Sequence, residues 1–184
     1  SSTKVPLIAH IIHRLDIGGL ENGLVNIINR MPANRYRHAI ICLTTFSDFR
    51  LRIQRSDVCI LALEKRHGKD PLCYFRLWRA LRRLRPDIVH TRNLPTLDAI
   101  LVAAFAGVPH RVHGEHGRDM LELQGKNRKY NFLRRLCRPF VDSYIPLSRD
   151  LAFWLQNTIA VPERKIVQIY NGVDSQTFRP ARKS

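Results

Sequence analysis

The sequence predicts an α/β fold in which a doubly wound parallel sheet of about seven strands carries helices on both faces. Short, continuously apolar runs alternate along the chain with segments in which apolar residues recur at helical spacing. Glycine or proline punctuates most of the boundaries between them, which indicates short connections. With 184 residues, of which 45% are hydrophobic, the chain can bury the core of one domain. Repeated strand and helix segments of this kind favour parallel pairing.

The first half of the chain begins with a buried strand predicted over residues 7–13. A glycine turn follows, and apolar residues at helical spacing predict a helix over 20–31, which Pro32 ends. Two further strands are predicted over 37–43 and 58–63, with a short helix over 49–56 between them.

The middle of the chain is predicted to form a helix over 71–84, because Pro71 suits a first helical turn. One broad face of this helix is predicted to be apolar and to carry Leu72, Phe75, Leu77, Trp78, Leu81 and Leu84, with arginines on the other. A strand over 88–90, a small buried helix over 95–106 and a fifth strand over 111–115 follow.

The last third is predicted to form a helix over 127–140, a strand over 142–147 and a helix over 148–157 with Ser148 as its N-cap. Residues 165–169 are predicted to form the seventh strand. Right-handed crossovers then place every strand-to-helix turn at one edge of the sheet, where ligands bind in open α/β folds. This prediction places four short segments at that edge: Gly18-Gly19, Arg92-Asn93, His116-Gly117 and Asn171-Gly172.

The charge of the chain is unusual, because 31 Lys and Arg face 15 Asp and Glu, for a net charge of +16. Such a chain favours polyanionic partners, namely nucleic acid, anionic lipid or phosphorylated small molecules, although a solvated basic face is an equal alternative. The four cysteines have no CxxC spacing, so we expect buried free thiols rather than a zinc site or a redox pair. No apolar run approaches the roughly 20 residues of a membrane span, and we expect a cytoplasmic protein.

Several chemistries are disfavoured by the motifs that are missing. The glycines near position 18 do not form GxGxxG and no GK[ST] follows, which argues against a nicotinamide site and a P-loop. HExxH and GxSxG are absent, and His110, His113 and His116 cannot converge on a metal from one strand. His116 falls at a strand end, where its imidazole could bind an oxyanion or a hydroxyl, or serve a structural role.

The segment 125–140 interleaves six basic residues with aromatic and aliphatic ones and contains no acid. As a helix it would carry Tyr130, Leu133, Cys137 and Phe140 on one apolar stripe, for which we favour core packing. Its cations could contact an anionic membrane surface or an anionic substrate. These cations are Lys126, Arg128, Lys129, Arg134, Arg135 and Arg138.

Four ordered motifs give the sequence a specific resemblance. They are GGLE at 18–21, RPDIVHTRN at 85–93, HGEHG at 113–117, and YNGVD with Phe178 and Pro180 at 170–180. With them the chain resembles the N-terminal half of family 4 retaining glycosyltransferases of the GT-B fold. The HGEHG block and the basic helix are most similar to sugar transferases of exopolysaccharide clusters associated with exosortases.

The resemblance implies roles for individual residues. Gly18 and Gly19 match the turn over the phosphate and sugar of the donor, and His116 matches the histidine that contacts the transferred sugar near the reaction centre. The remaining candidates for donor or acceptor contacts are Glu21, Arg92, Asn93, Arg118, Asp119 and Asn171.

The resemblance also implies a Rossmann-like, acceptor-side domain over residues 1–174, with 175–184 starting a linker to an absent nucleotide-binding domain. The reaction would transfer a hexosyl group from a nucleotide-sugar to the hydroxyl of a glycan or a lipid-linked acceptor, without a cofactor or a metal. The alternatives are a basic nucleic-acid-binding domain and a non-catalytic regulatory α/β domain. A membrane role would place the protein peripherally at the inner face of the membrane.

Overall fold

A computed structural model describes residues 4–16, 18–116 and 127–167. Its sheet has six strands in the order β3-β2-β1-β4-β5-β6, and all neighbouring strands are parallel. The strands are β1 Leu7–Ile12, β2 Arg37–Cys42, β3 Cys59–Ala62, β4 Ile88–Arg92, β5 His110–Glu115 and β6 Ser143–Pro146. The α/β, Rossmann-like fold predicted from the sequence is confirmed.

Five α-helices lie on the sheet in the described part of the chain, and short 3₁₀ segments join some of the elements. The helices are α1 Gly19–Arg30, α2 Pro71–Leu84, α3 Ala99–Phe105, α4 Arg128–Cys137 and α5 Arg149–Asn157. The 3₁₀ segments are Asp48–Arg52, Leu94–Thr96, Arg138–Phe140 and Glu163–Lys165.

The strand order reverses between β1 and β4, which lie side by side in the centre of the sheet. His10 of β1 is in register with His90 of β4, and β4 is in turn paired with β5. After β1 the chain continues to β2 on one side, and after β4 it continues to β5 on the other side. A crevice therefore forms outside the carboxyl ends of β1 and β4. The fold therefore places its ligand-binding edge next to Asp16, Arg92 and His116.

Three of the predicted elements differ in the structure. The predicted helix over 49–56 is the 3₁₀ segment Asp48–Arg52, and the one over 95–106 divides into Leu94–Thr96 and α3. In the predicted seventh strand, Ile166 forms an isolated parallel bridge with Tyr144, and residues 168–169 lie outside the described part.

The core consists of apolar layers on the two faces of the sheet. On one face, Leu24 and Ile28 of α1 pack against Ile12 and Ile40. On the other face, α2 and α3 pack against a second layer of strand residues, and α5 forms a third cluster near β6. All four cysteines are free, as predicted, but Cys59 is exposed because β3 is an edge strand.

Only part of the predicted apolar face of α2 is buried. Cys73, Leu77 and Leu81 form one buried stripe at a spacing of four residues. Leu72 and Phe75, which the sequence placed on the same apolar face as Leu77 and Leu81, are 63% and 55% exposed. The helix lies in the outer layer, so only one stripe of it reaches the sheet.

Helix α4 also buries a different face from the one predicted. Arg134 is 3% exposed and its Nε donates to Glu115 Oε1 at 3.1 Å. Its guanidinium lies 4.8 Å from the centre of the Trp154 ring. Arg134 therefore cannot serve as a surface cation, and our assignment of it to a membrane face was wrong.

Two neighbouring arginines hold the end of α5 in place. Arg135 Nη2 donates to the Thr158 carbonyl at 2.7 Å, and Arg138 Nη1 donates to the Ile159 carbonyl at 2.9 Å. Carbonyls after a helix lack intrahelical partners, so these bonds satisfy groups that would otherwise need water. Both arginines have structural contacts that the sequence did not predict.

The Arg134–Glu115 pair should be essential for stability. Burial raises the pKa of Glu115, but the hydrogen bond from His113 and the charge of Arg134 outweigh it and hold that pKa below its usual range. Arg134→Ala leaves a buried carboxylate without its cation, so we expect the free energy of unfolding to fall by about 3 kcal/mol. Urea denaturation measures it, with exposed Arg128→Ala as the control. Equal stability of the two variants would contradict the assigned role.

Candidate functional site

The candidate site lies at the carboxyl ends of β1, β4 and β5. Arg92 is the last residue of β4, Asn93 follows it directly, and His116 follows β5. The first turn of α1, with Glu21, starts at the same edge. Four of the residues predicted from the sequence are thus brought together by the parallel sheet.

Asn93 connects the ends of β4 and β5. Its backbone N–H donates to the Gly114 carbonyl at 2.8 Å, and its side-chain Oδ1 accepts the His116 N–H at 2.8 Å. Asn93 has a φ of 57° and a ψ of −177°, a strained backbone conformation that residues other than glycine rarely adopt. In the structure Asn93 positions the backbone of His116, which is a more specific role than the ligand contact predicted for it.

His116 presents a neutral imidazole to the site. Burial, followed by the nearby charge of Arg92, lowers the pKa of His116 to about 4. Its Nε2 is buried and has no hydrogen-bond partner within the described residues. A Cβ added at Gly114 would lie 2.7 Å from this atom, so a glycine is needed where the ring folds back over β5.

Arg92 is the buried cation of the site, with 3% of its surface exposed. Its Nη2 lies 3.4 Å from His10 Nδ1, and His10 Nε2 lies 3.0 Å from His38 Nδ1. A guanidinium can only donate, so His10 Nδ1 accepts and His10 Nε2 donates to His38. The contacts form a chain that fixes the tautomer of His10 and the orientation of the guanidinium.

The electrostatics of this chain keep the imidazoles uncharged. Burial lowers the pKa of Arg92 to about 10, while the charge of Glu21 raises it. Burial and the charge of Arg92 lower the pKa of His10 and of His90 well below the usual value. Arg92 is therefore the cation, and the histidines around it act as neutral donors and acceptors near pH 7.

The glycine turn brings α1 close to this cluster. Gly18 is the N-cap of α1 and has a φ of −176°, an extended backbone that any residue adopts. A side chain there would collide with the Glu21 carboxylate. A side chain at Gly18 would therefore displace the Glu21 carboxylate from its present position, and Gly19 is the first residue of the helix, at the site edge.

Three buried nitrogen atoms at this edge lack a partner among the described residues: Arg92 Nη1, His90 Nε2 and His116 Nε2. His116 Nε2 and His90 Nε2 lie 2.7 Å and 3.4 Å from the position that a Gly114 Cβ would take. Buried polar atoms without partners are costly, and folded proteins retain few of them. Such a cluster can hold the oxygens of a hydroxylated or anionic ligand.

Sequence reasoning missed His10, His38 and His90 as site residues. Each is a histidine inside an otherwise apolar strand, which was the available signal. This signal could not be interpreted without the strand register, because His10 and His90 face each other only through the β1–β4 pairing. The predicted residues Arg118, Asp119, Lys126 and Asn171 lie outside the described residues.

His113 faces the opposite side of β5 from the site. Its Nδ1 lies 2.7 Å from Thr91 Oγ1 and its Nε2 lies 3.2 Å from Glu115 Oε1. Within residues 4–16, 18–116 and 127–167, no group of three His, Cys, Asp or Glu side chains could hold a metal ion. In the same ranges no helix is long and apolar enough to cross a membrane.

The sequence profile of Glycosyltransferase Family 4 matches residues 17–177. This range includes strands β2 to β6 and the site residues Glu21, Arg92, Asn93 and His116. The chain belongs to Glycosyltransferase Family 4. This confirms the family that the GGLE, HGEHG and NGVD motifs indicated. The finer placement among exosortase-associated transferases stays a prediction. No curated protein matches the chain.

Solved structures share the fold of this glycosyltransferase-family chain at low sequence identity. A glycosyltransferase from Rickettsia africae ESF-5 matches with a TM-score of 0.67 and 16% identity, over 99% of this chain and 47% of that one. Anabaena Alr3699/HepE, in complex with UDP and glucose, matches with a TM-score of 0.63 and 16% identity, over 91% and 45% of the two chains.

The fold also occurs in an enzyme with another reaction. UDP-GlcNAc 2-epimerase from Neisseria meningitidis, bound to UDP-GlcNAc, matches with a TM-score of 0.54 and 14% identity, over 90% of this chain and 45% of that one. The chain thus spans about half the length of the solved structures it matches. These likenesses establish the fold, and the family match establishes that the chain is a member of Glycosyltransferase Family 4.

The buried histidines of this family 4 chain should make its stability depend on pH. Native His38 and His116 have pKa values lowered to about 4, whereas unfolded histidine titrates near 6.5. Between these values the unfolded chain binds protons that the native chain does not. The free energy of unfolding should therefore fall as pH decreases from about 6.5 to about 4, by up to about 1.4 kcal/mol per pH unit for each such histidine.

Urea denaturation across this pH range measures the dependence. His38→Gln removes one of the groups that titrate only in the unfolded chain, so the slope of the unfolding free energy against pH should become smaller. An identical slope in the variant and the parent would contradict the assignment of a neutral buried His38.

A side chain at Gly114 should displace the His116 ring. Gly114→Ala places a Cβ 2.7 Å from His116 Nε2, so the ring must move, and we expect a loss of about 1 kcal/mol in unfolding free energy. Shifted His116 ring resonances in the NMR spectrum would report the displacement. Gly23→Ala is the control, since a Cβ there meets nothing within 4 Å inside α1, and it should stabilise by about 0.5 kcal/mol. Unmoved His116 resonances in Gly114→Ala would refute the close contact.

Proposed function

We propose that the protein is a retaining hexosyltransferase that transfers a sugar from a nucleotide-sugar to an acceptor hydroxyl, and that this chain supplies the acceptor side of its cleft. The observation that carries the proposal is the convergence of Arg92 Nη1, His90 Nε2 and His116 Nε2 at the switch-point edge of the sheet. Neutral imidazoles and one buried cation suit a ligand that offers both hydroxyl groups and negative charge.

The α1 N-terminus would receive the donor's phosphate or sugar oxygens. Gly18 and Gly19 leave the backbone amides accessible there, and the helix dipole favours negative charge at this end. His116 would hydrogen-bond the transferred sugar, as its neutral imidazole can either donate or accept. Asn93 would position His116, and Arg92 would add charge beneath the sugar.

A front-face reaction with retention fits the carboxylates present at the edge. A double displacement needs a carboxylate nucleophile paired with a second acid or base. In the described part of the site, Glu21 faces the charge of Arg92, and Glu115 is held in its buried pair with Arg134. The bond from the anomeric carbon to the leaving phosphate would therefore break as the acceptor oxygen attacks from the same side. The acceptor hydroxyl would pass its proton to an oxygen of the leaving diphosphate, whose charge would be stabilised electrostatically.

Nucleotide-sugar use is supported by the neighbours with this fold, two of which hold UDP or a UDP-sugar. We propose a glycan or a lipid-linked acceptor, within exopolysaccharide or cell-surface glycan synthesis, and no cofactor. The net charge of +16 supports a peripheral position at the anionic inner face of a membrane, where a lipid-linked acceptor would be found.

Activity should depend on His116. In the enzyme carrying this chain together with its nucleotide-binding half, His116→Ala removes a hydrogen bond made to the sugar in the transition state. We expect kcat/KM to fall by about 100-fold or more, with folding intact. The assay uses a panel of nucleotide-sugars with a glycan or lipid-linked acceptor, and NMR of the product reports the anomeric configuration.

His110→Ala is the matched control, because His110 starts the same strand at the opposite edge and is exposed. It should leave the rate unchanged. Inversion of configuration would overturn the retaining mechanism, and a full rate in His116→Ala would return this histidine to a structural role. Residues 1–184 alone should fold and transfer no sugar, so turnover by this chain alone would refute the need for a second half.

A further inference from the structure

Helix α2 exposes more apolar surface than a solvent-facing helix needs. Leu72 is 63% exposed, Phe75 is 55% exposed and Trp78 is 38% exposed. On the adjacent helix α3, Phe105 is 84% exposed. A cluster of large apolar side chains on one surface is uncommon on soluble domains and marks an interaction site.

Leu72 and Phe75 lie on the side of α2 that faces away from the core. The buried stripe of α2 runs through Cys73, Leu77 and Leu81. At 100° per residue, Leu72, Phe75, Arg79 and Arg82 lie almost directly opposite that stripe. The outermost line of the helix therefore combines two apolar residues with two arginines.

Aromatic and cationic groups on this face are organised together. The Phe75 and Trp78 rings stack, with centroids 5.9 Å apart and planes inclined by 20°. The Arg79 guanidinium lies 5.9 Å from the centre of the Phe75 ring. Aromatic rings beside arginine are typical of a surface that lies at the boundary between lipid headgroups and acyl chains.

The charge of the face is positive and its acids are already engaged. Asp70 pairs with Arg76 at 2.8 Å, and Asp98 accepts a hydrogen bond from Tyr74. Arg79, Arg82, Arg83 and Arg85 are all exposed. A surface with this balance complements an anionic partner.

A concavity of about 300 Å³ opens where α2 meets the turn that follows α3. Arg82, Arg85, Asp87 and residues 106–109 are among the residues that line it. Asp87 Oδ2 accepts the Leu7 N–H at 2.8 Å, so this acid is also engaged within the protein.

Helix α4, where the sequence placed the membrane contact, is less suited to it. Phe132 and Leu136 are exposed there by 66% and 52%. However, Arg134 is buried with Glu115, and Arg135 and Arg138 donate to carbonyls at the end of α5. Arg128 and Lys129 remain exposed near the start of α4. They are well separated from Arg138, which follows the end of the helix and donates to a carbonyl after α5.

We infer that the outer face of α2, together with Phe105, docks the protein on an anionic lipid bilayer. Phe75, Leu72 and Trp78 insert between headgroups, and Arg79 and Arg83 contact lipid phosphates. This assignment rests on the peripheral membrane position proposed above and names the surface that produces it.

Vesicle cosedimentation of the 184-residue chain tests the assignment. The protein should bind vesicles of phosphatidylglycerol mixed with phosphatidylcholine, and should stay in solution with phosphatidylcholine alone. Leu72→Ser combined with Phe75→Ser removes the apolar anchors, and Arg79→Glu combined with Arg83→Glu reverses the cations. Each pair should weaken the partition coefficient by about tenfold or more, because each cation and each buried methylene contributes separately.

Two double variants serve as matched controls. Arg30→Glu with Arg35→Glu makes the same change in net charge on exposed arginines at the end of α1 and just after it. Phe132→Ser with Leu136→Ser removes the same amount of exposed apolar surface from α4. Both controls should bind within about twofold of the parent, as they lie outside the docking face. All the altered residues are exposed, so thermal unfolding should show an unchanged fold.

The outcomes test the docking surface on α2 separately from the proposed sugar transfer. Binding lost in the α4 control and kept in the α2 variants would overturn the assignment to α2. Equal losses in the α2 and α1 charge variants would show diffuse attraction and overturn it as well. No binding by the parent protein would refute both this surface and the peripheral position, without bearing on sugar transfer. Salt-resistant binding to duplex DNA in its place would favour a nucleic-acid partner.

Discussion

The buried guanidinium of Arg92 is the constraint on which the site depends. A cation at the end of a central strand must have acceptors or it becomes very costly. His10 provides one of them, at 3.4 Å, and His38 in turn accepts from His10 at 3.0 Å. The chain of contacts runs across β4, β1 and β2, so the pairing of all three strands supports the orientation of one side chain.

The same cation shapes the chemistry of its neighbours. Its charge adds to burial in lowering the pKa of His90 and His116, so both rings are neutral at pH 7. A neutral imidazole can donate one hydrogen bond and accept another, which suits sugar hydroxyls. Asn93 and Gly114 then determine where the His116 ring lies, one through a hydrogen bond and the other through the space it leaves.

The arginines of α4 and the arginines of α2 have different surroundings. On α4 they are structural, because Arg134 neutralises Glu115 and Arg135 and Arg138 bind the carbonyls after α5. On α2 they line an exposed apolar surface and contact an aromatic ring. A count of positive charges cannot separate the two uses. The tertiary contacts separate them: Arg76 of α2 pairs with Asp70 and Arg82 donates to the Ala106 carbonyl, whereas Arg79 lies over the exposed Phe75 ring.

The sequence by itself determined the order of strands and helices, the parallel sheet and the edge at which the site lies. Apolar periodicity and the glycine and proline breaks are local signals, and right-handed crossovers follow from them. The same local signals placed Arg92, Asn93 and His116 at this edge, because each lies at or directly after the end of a strand.

Only the tertiary structure determined which side chains contact one another. His10, His38 and His90 meet only through strand register, which a one-residue shift would change. Arg134 is buried because β5 presents Glu115 to α4, and Leu72 and Phe75 are exposed because the sheet accepts a single stripe of α2. Such contacts join residues far apart in the chain, so local pattern carries no information about them.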